Sequence, residues 1–233
     1  MLLVCCLKRT SETGDGVSWL QPHQGQTVER LAGELRTLER HWERLDFPIH
    51  SALRPGIDPA AVDELAETHG VTVPIELTVL WSWHDGSEDT NHRGNAIGPG
   101  MWEFLPAEKC FELMVTMRKT NVHLGLTQSE DSDVALEEPY WRRSWIPLML
   151  ANDRVLFADS AREDRWGTAP LRWINREWEG CHVDAAGSLA QTVNLWNWVL
   201  GQDLYLPLRQ MDGTVLWDMP TTLPGFVRDT GLA

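Results

Sequence analysis

Basic residues are scarce in this chain, metal-spaced cysteines are missing, and no apolar stretch reaches membrane length. Each shortage removes a class of function. Twenty lysines and arginines stand against thirty-four acidic residues, a net charge of −14. A surface of that sign repels nucleic acid and anionic membrane, so neither is expected as a partner. The four cysteines, Cys5, Cys6, Cys110 and Cys181, include no pair at zinc-ligand spacing, and two of them are adjacent. Reduced thiols and a cytoplasmic protein are the expectation. The opening MLLVCCLK has an apolar run too short for a secretory signal and no basic region before it. No window approaches the roughly 20 apolar residues of a membrane span. Alternating βαβ units, a glycine-rich phosphate loop, internal repeats and low-complexity tracts are also missing, so no nucleotide cofactor, and no other cofactor, is expected.

What is present is tryptophan. Thirteen indoles in 233 residues exceed the ordinary, while 42% hydrophobic and 23% charged residues do not. Most should lie in the core, with any surplus at a contact surface. Folding a chain of this size buries roughly 70% of its unfolded surface, ample for one sizeable core. The organisation expected is a poorly ordered lead-in over 1–24, a single domain over 25–201 and a C-terminal arm over 202–233.

The stretch Leu65–Gly86 anchors the reading of the elements. Gly70 closes one helix, Pro74 opens the next, and Leu77, Leu80 and Trp81 share its inner face. His84-Asp85-Gly86 reads as the turn that stops it, and 85–100 as a long exposed loop. Upstream, Val28, Leu31, Leu35, Leu38, Trp42 and Leu45 step by three and four along a helix from Thr27 to Leu45. Phe47–Gly56 reads as a loop. Asp58 and Pro59 cap and open a second helix. Downstream come a short strand at Met101–Leu105 and a helix from Pro106 with Phe111, Met114 and Met117 or Arg118 inward. An acidic insertion at 120–139 follows. Strands at Trp145–Leu150 and Val155–Ala158 flank an Asn152–Asp153 turn, and another lies at Leu171–Ile174. A last helix carries Leu189, Val193 and Trp196 inward and stops at Gly201. The tail reads as an arm or as a hairpin around Asp212–Gly213. Helices, then strands, then a helix indicate an α+β fold with helices packed on a mostly antiparallel sheet.

In this order the signals resemble the SUKH superfamily, which groups fungal cell-wall-assembly regulators with many bacterial immunity proteins. The resemblance is carried by Trp42, Gly70, Pro74, the Leu77–Leu80–Trp81 face and His84-Asp85-Gly86. In the second half it is carried by Trp145–Leu148, Leu156–Asp159, Gly167, Leu171–Trp173 and Gly187–Leu189. It spans about residues 42–200. The lead-in, the insertion and the tail depart from the family pattern. The resemblance implies a non-enzymatic protein-binding fold. In bacteria such a protein is often an immunity protein that neutralises a cognate toxin, frequently a nuclease.

The residues themselves offer one tempting catalytic pair. Adjacent His84 and Asp85 could ligate a divalent ion, as in metal-dependent phosphohydrolases, with His41, His50, His69 and His123 as further ligands. No second helix carries a His or carboxylate pair aimed at them. A turn, with His84 favouring the helix C-terminus, outweighs the metal reading. No serine has a G-x-S-x-G context, and Cys110 reads as a small core residue. The expectation is therefore a protein that is not an enzyme and sequesters a basic toxin domain. The alternatives are a regulatory scaffold for a cellular protein and a hydrolase using His84 and Asp85. The candidate partner-binding residues are Glu88, Asp89, Glu130, Asp131, Asp133, Glu137, Glu138 and Trp178. Trp178, within Glu-Trp-Glu 177–179, equally fits an edge strand or loop with one buried indole.

Overall fold

A computed structural model describes residues 24–88, 96–123, 125, 141–175, 182–211, 215–218, 220, 222–228, 230 and 232. The helices are α1 (Gly25–Arg44), α2 (Pro59–His69), α3 (Ile75–Trp83), α4 (Ala107–His123), α5 (Leu189–Gly201) and one closing turn, α6 (Gly225–Arg228). The strands are β1 (Leu53–Pro55), β2 (His84–Ser87), β3 (Ala96–Gly98), β4 (Trp102–Phe104), β5 (Trp145–Ala151), β6 (Arg154–Asp159), β7 (Leu171–Asn175), β8 (His182–Ala186), β9 (Leu206–Arg209) and β10 (Val215–Asp218). Strands β3 to β8 form one antiparallel sheet in sequence order, and β1–β2 and β9–β10 are separate antiparallel pairs. The fold is α+β, as expected.

Local chemistry explains most boundaries. The Asp58 carboxylate accepts from the Ala60 amide at 2.9 Å, Pro59 opens α2, and Gly70 closes it with φ 61°. Helix α3 begins one residue after Pro74, whose carbonyl accepts from the Leu77 amide. In α5 the Ser188 hydroxyl accepts from the Gln191 amide, and Gln191 accepts in turn from the Gly187 amide, a reciprocal cap. Asn152 takes φ 54° in the tight turn between β5 and β6. Pro147 sits where the β5–β6 register shifts, the place a central strand tolerates a proline.

Alternation along β6 divides the sheet into two faces. Leu156 and Ala158 join the main core with side chains of α1, α3, α4 and α5. Val155 and Phe157 join a second cluster with Trp141, Trp145, Ile174 and Met117 of α4. The register aligns Glu103, Leu150, Val155 and Ile174 as one cross-strand row on that second face. After α5, the β9–β10 ribbon leans on the main core: Trp217 stacks on Phe47 at 4.1 Å, and Val215, Val227 and Leu232 are buried.

Three expectations are corrected. The exposed loop expected over 85–100 instead contains strand β3, where Ile97 is fully buried. The segment 47–56 is not only loop, because a 3₁₀ turn at Pro48–Ser51 leads into β1. His84-Asp85-Gly86 is not a turn. It is strand β2, paired with β1, and Asp85, Gly86 and Ser87 are buried. Gly86 is required there by close approach as well as by its φ of 75°: a Cβ would lie 2.2 Å from the Pro106 nitrogen.

One buried acid ties α3 to α5. Glu76 is 2% exposed and accepts from the Leu189 and Ala190 amides, both at 3.0 Å. Burial outweighs those amides and the nearby Arg30, and with Asp164 it raises the carboxyl to about 7. The folded chain therefore holds a proton that the unfolded chain releases near pH 4.5. The stability linked to this group is full at low pH and is lost as pH rises through 7.

Two predictions follow from these contacts. Gly86→Ala should cost at least about 3 kcal/mol in urea unfolding, whereas Gly33→Ala, in an uncrowded helical position, should stabilise by about 0.5–1 kcal/mol. Equal effects would contradict the close-approach account. Glu76→Gln should flatten the pH dependence of stability between pH 4.5 and 7, so that its stability relative to the parent improves as pH rises. A parallel pair of pH profiles would contradict it.

A candidate binding groove between α4 and the sheet

A groove of about 960 Å³ opens on the second face of the sheet, where the cover over that face thins. Val155 and Ile174 in the cross-strand row are fully buried, but Leu150 and Glu103 at its end are only half-buried. One wall is α4. Lys109, Glu112, Leu113 and Thr116 recur at three and four residues and so lie along one stripe. Leu105 and Pro106, just before α4, also line the groove. Arg54 and Ser87 of the β1–β2 pair, Glu88 just after it, and Met101 and Asn152 line it as well. Met101 and Asn152 are left-handed, at φ 60° and 54°.

Asp85 sets this geometry. Its carboxylate accepts from the Ala107 amide at 2.8 Å and so caps α4 from a strand 22 residues away. Its other oxygen pairs with Arg54 at 3.2 Å. Ser87 donates to the Phe104 carbonyl at 3.0 Å, which ties β2 to β4. Both cations of the groove meet carboxylates of their own chain, Arg54 with Asp85 and Lys109 with Glu112 at 2.7 Å. The lining carries three carboxylates, Glu88, Glu103 and Glu112, and two cations, Arg54 and Lys109, with Glu112 paired to Lys109.

The His84–Asp85 pair is occupied by folding contacts. The Arg54 carbonyl can only accept, so His84 donates Nδ1–H to it at 2.8 Å, which fixes the tautomer. Burial pushes the pKa of this imidazole below its ordinary value. Of the other histidines considered as ligands, His69 stacks on Phe111 and His50 packs edge-on to Trp42. Among the described residues no three His, Cys, Asp or Glu side chains converge to hold a metal ion. Cys110 is fully buried, and burial raises its thiol well above the usual range, with Asp85 adding to the effect.

Of the candidate partner-binding residues, Glu88 is exposed and lines the groove. Asp89, Glu130, Asp131, Asp133, Glu137, Glu138 and Trp178 lie outside the described residues. Sequence reasoning missed Arg54, Glu103, Lys109, Glu112, Leu113 and Leu150. The α4 stripe was legible in its spacing; the strand residues opposite it depend on register. Compared with known proteins, the chain matches no family model and no curated protein. No helix among the described residues is long and apolar enough to cross a membrane.

Asp85→Ala should lower stability by about 1–3 kcal/mol, because it orphans a buried helix-start amide. Arg54→Ala should cost less, since its side chain is 44% exposed and its pairing is screened. Urea midpoints of the two variants check this order, and a larger loss for Arg54→Ala would reverse the assignment.

Proposed function

We propose that this chain is a non-enzymatic protein-binding domain of the immunity type, which sequesters a basic toxin domain in the cytoplasm. The observation that carries the reading is the carboxylate-lined groove, in a chain of charge −14 whose one tempting catalytic pair is committed to folding contacts. The SUKH-like order of sequence signals supports the same reading. A negative binding face speeds encounter with a cationic partner, while a few buried anchors supply most of the affinity. The fold is compatible with many functions, so the groove and the charge bear the argument rather than the architecture.

Co-expression with the toxin encoded beside this gene should protect cells, and the two proteins should co-elute in gel filtration at moderate salt. Continued killing together with separate elution would overturn the reading.

A further inference from the structure

We propose that the segment 225–232 is a displaceable strap, which occupies in cis a docking cleft for a leucine-bearing segment of another protein. The cleft belongs to the main core, apart from the groove beside α4, and the inference goes beyond the toxin-binding reading. Trp173 of β7 and Trp196 of α5 donate to the carbonyls of Thr230 and Leu232, at 3.2 and 2.9 Å. Those carbonyls are two residues apart, so the indoles read main chain rather than side-chain identity. Glycines make the space. A Cβ on Gly98 would lie 2.5 Å from the Trp196 ring, and one on Gly100 would lie 2.7 Å from the Leu232 carbonyl oxygen. The Leu232 side chain is fully buried in the main core. Two main-chain acceptors and one apolar anchor are contacts that any segment with a suitably placed leucine can supply.

Two observations mark the strap as replaceable. Its hold is slight. Among the described residues from Pro220 onward, backbone–backbone hydrogen bonds stay within the segment. Val227 and Leu232 are buried there, whereas Thr222 and Gly225 are exposed and Leu223, Pro224 and Thr230 only half-buried. Few anchoring contacts place a segment at the low end of local stability. Its fit is also incomplete. The Trp102 N–H is buried without a hydrogen-bond partner. It lies 2.9 Å from the same point beside Gly100 that the Leu232 carbonyl approaches. A buried donor left unpaired costs free energy. The strap thus satisfies two of the three indole donors around its end, and a segment that also reached Trp102 would hold more tightly.

The test uses the full chain and a fluorescent peptide of residues 222–233, Thr-Leu-Pro-Gly-Phe-Val-Arg-Asp-Thr-Gly-Leu-Ala, read by polarisation. Leu232→Asp in the full chain should empty the cleft. The peptide should then bind that variant at least about tenfold more tightly than the parent, where the tethered strap competes at high effective concentration. The peptide carrying Leu232→Asp should not bind. Trp173→Phe, added to the Leu232→Asp chain, should weaken peptide binding by about three- to tenfold through loss of one N–H. In the parent, amide exchange over 225–232 should run at least about 100-fold faster than in β5 and β6. Circular dichroism identifies any loss of fold in Leu232→Asp, and the exchange measurement on the parent needs no variant. Failure of the peptide to bind a folded Leu232→Asp chain overturns the proposal. Equal binding of the two peptides does the same, as does exchange of 225–232 at the rate of β5 and β6. None of these results depends on toxin protection, so the proposal can fail while the toxin-binding reading stands.

Discussion

The contact between the Asp85 carboxylate and the first amide of α4 is the constraint on which the rest of the molecule turns. It joins a strand that follows α3 directly to a helix that starts 22 residues later. A helix start carries unsatisfied amides and a partial positive charge, and a buried carboxylate answers both. The neighbouring residues fit the same junction. Gly86 lets the backbone pass against Pro106, and Ser87 bonds to β4. With α4 fixed in this way, its polar stripe must run beside Glu103 and Leu150. The groove is thus a consequence of how the helix is started.

Indoles hold the other long-range junctions. Trp42 and Trp217 donate to the consecutive carbonyls of Ile97 and Ala96 in β3, from α1 and from β10. Trp173 and Trp196 donate to the carbonyls of Thr230 and Leu232 in the C-terminal segment. Each ring fills core volume while its N–H satisfies a strand-end or loop carbonyl, which aliphatic side chains cannot do. Most of the described tryptophans are spent in this way. Trp166 and Trp198 are the exposed ones, at 37% and 40%. The abundance of indole is therefore chiefly a property of the core.

What could be read from the sequence depended on how local its physical cause is. Asp58, Pro59, Gly70 and the stripe of α1 act within one or two turns, and each was legible. The pairing of β5 with β6 was legible because Asn152 and the flanking apolar runs are adjacent. His84-Asp85-Gly86 misled because aspartate and glycine are good turn residues. Here the aspartate is used by a helix 22 residues away and the glycine by a proline 20 residues away, so tertiary contacts override the local preference. Glu76 was invisible for the same reason, the amides that donate to it lying 113 and 114 residues downstream. Half of the groove was readable in the spacing of α4. The other half, Glu103 against Leu150, required the register of two strands.

The buried acids and the groove acids have different surroundings. Glu76 and Asp85 serve helix starts inside the fold, whereas Glu88, Glu103 and Glu112 face a space large enough for another chain. The claim that this space receives a protein is tested most directly by amide hydrogen exchange of the full chain, alone and mixed with the toxin domain encoded beside its gene. The account predicts slowed exchange along 107–116 and 101–104, with β9 and β10 unchanged. Protection confined to β9 and β10, or no protection anywhere, would contradict it.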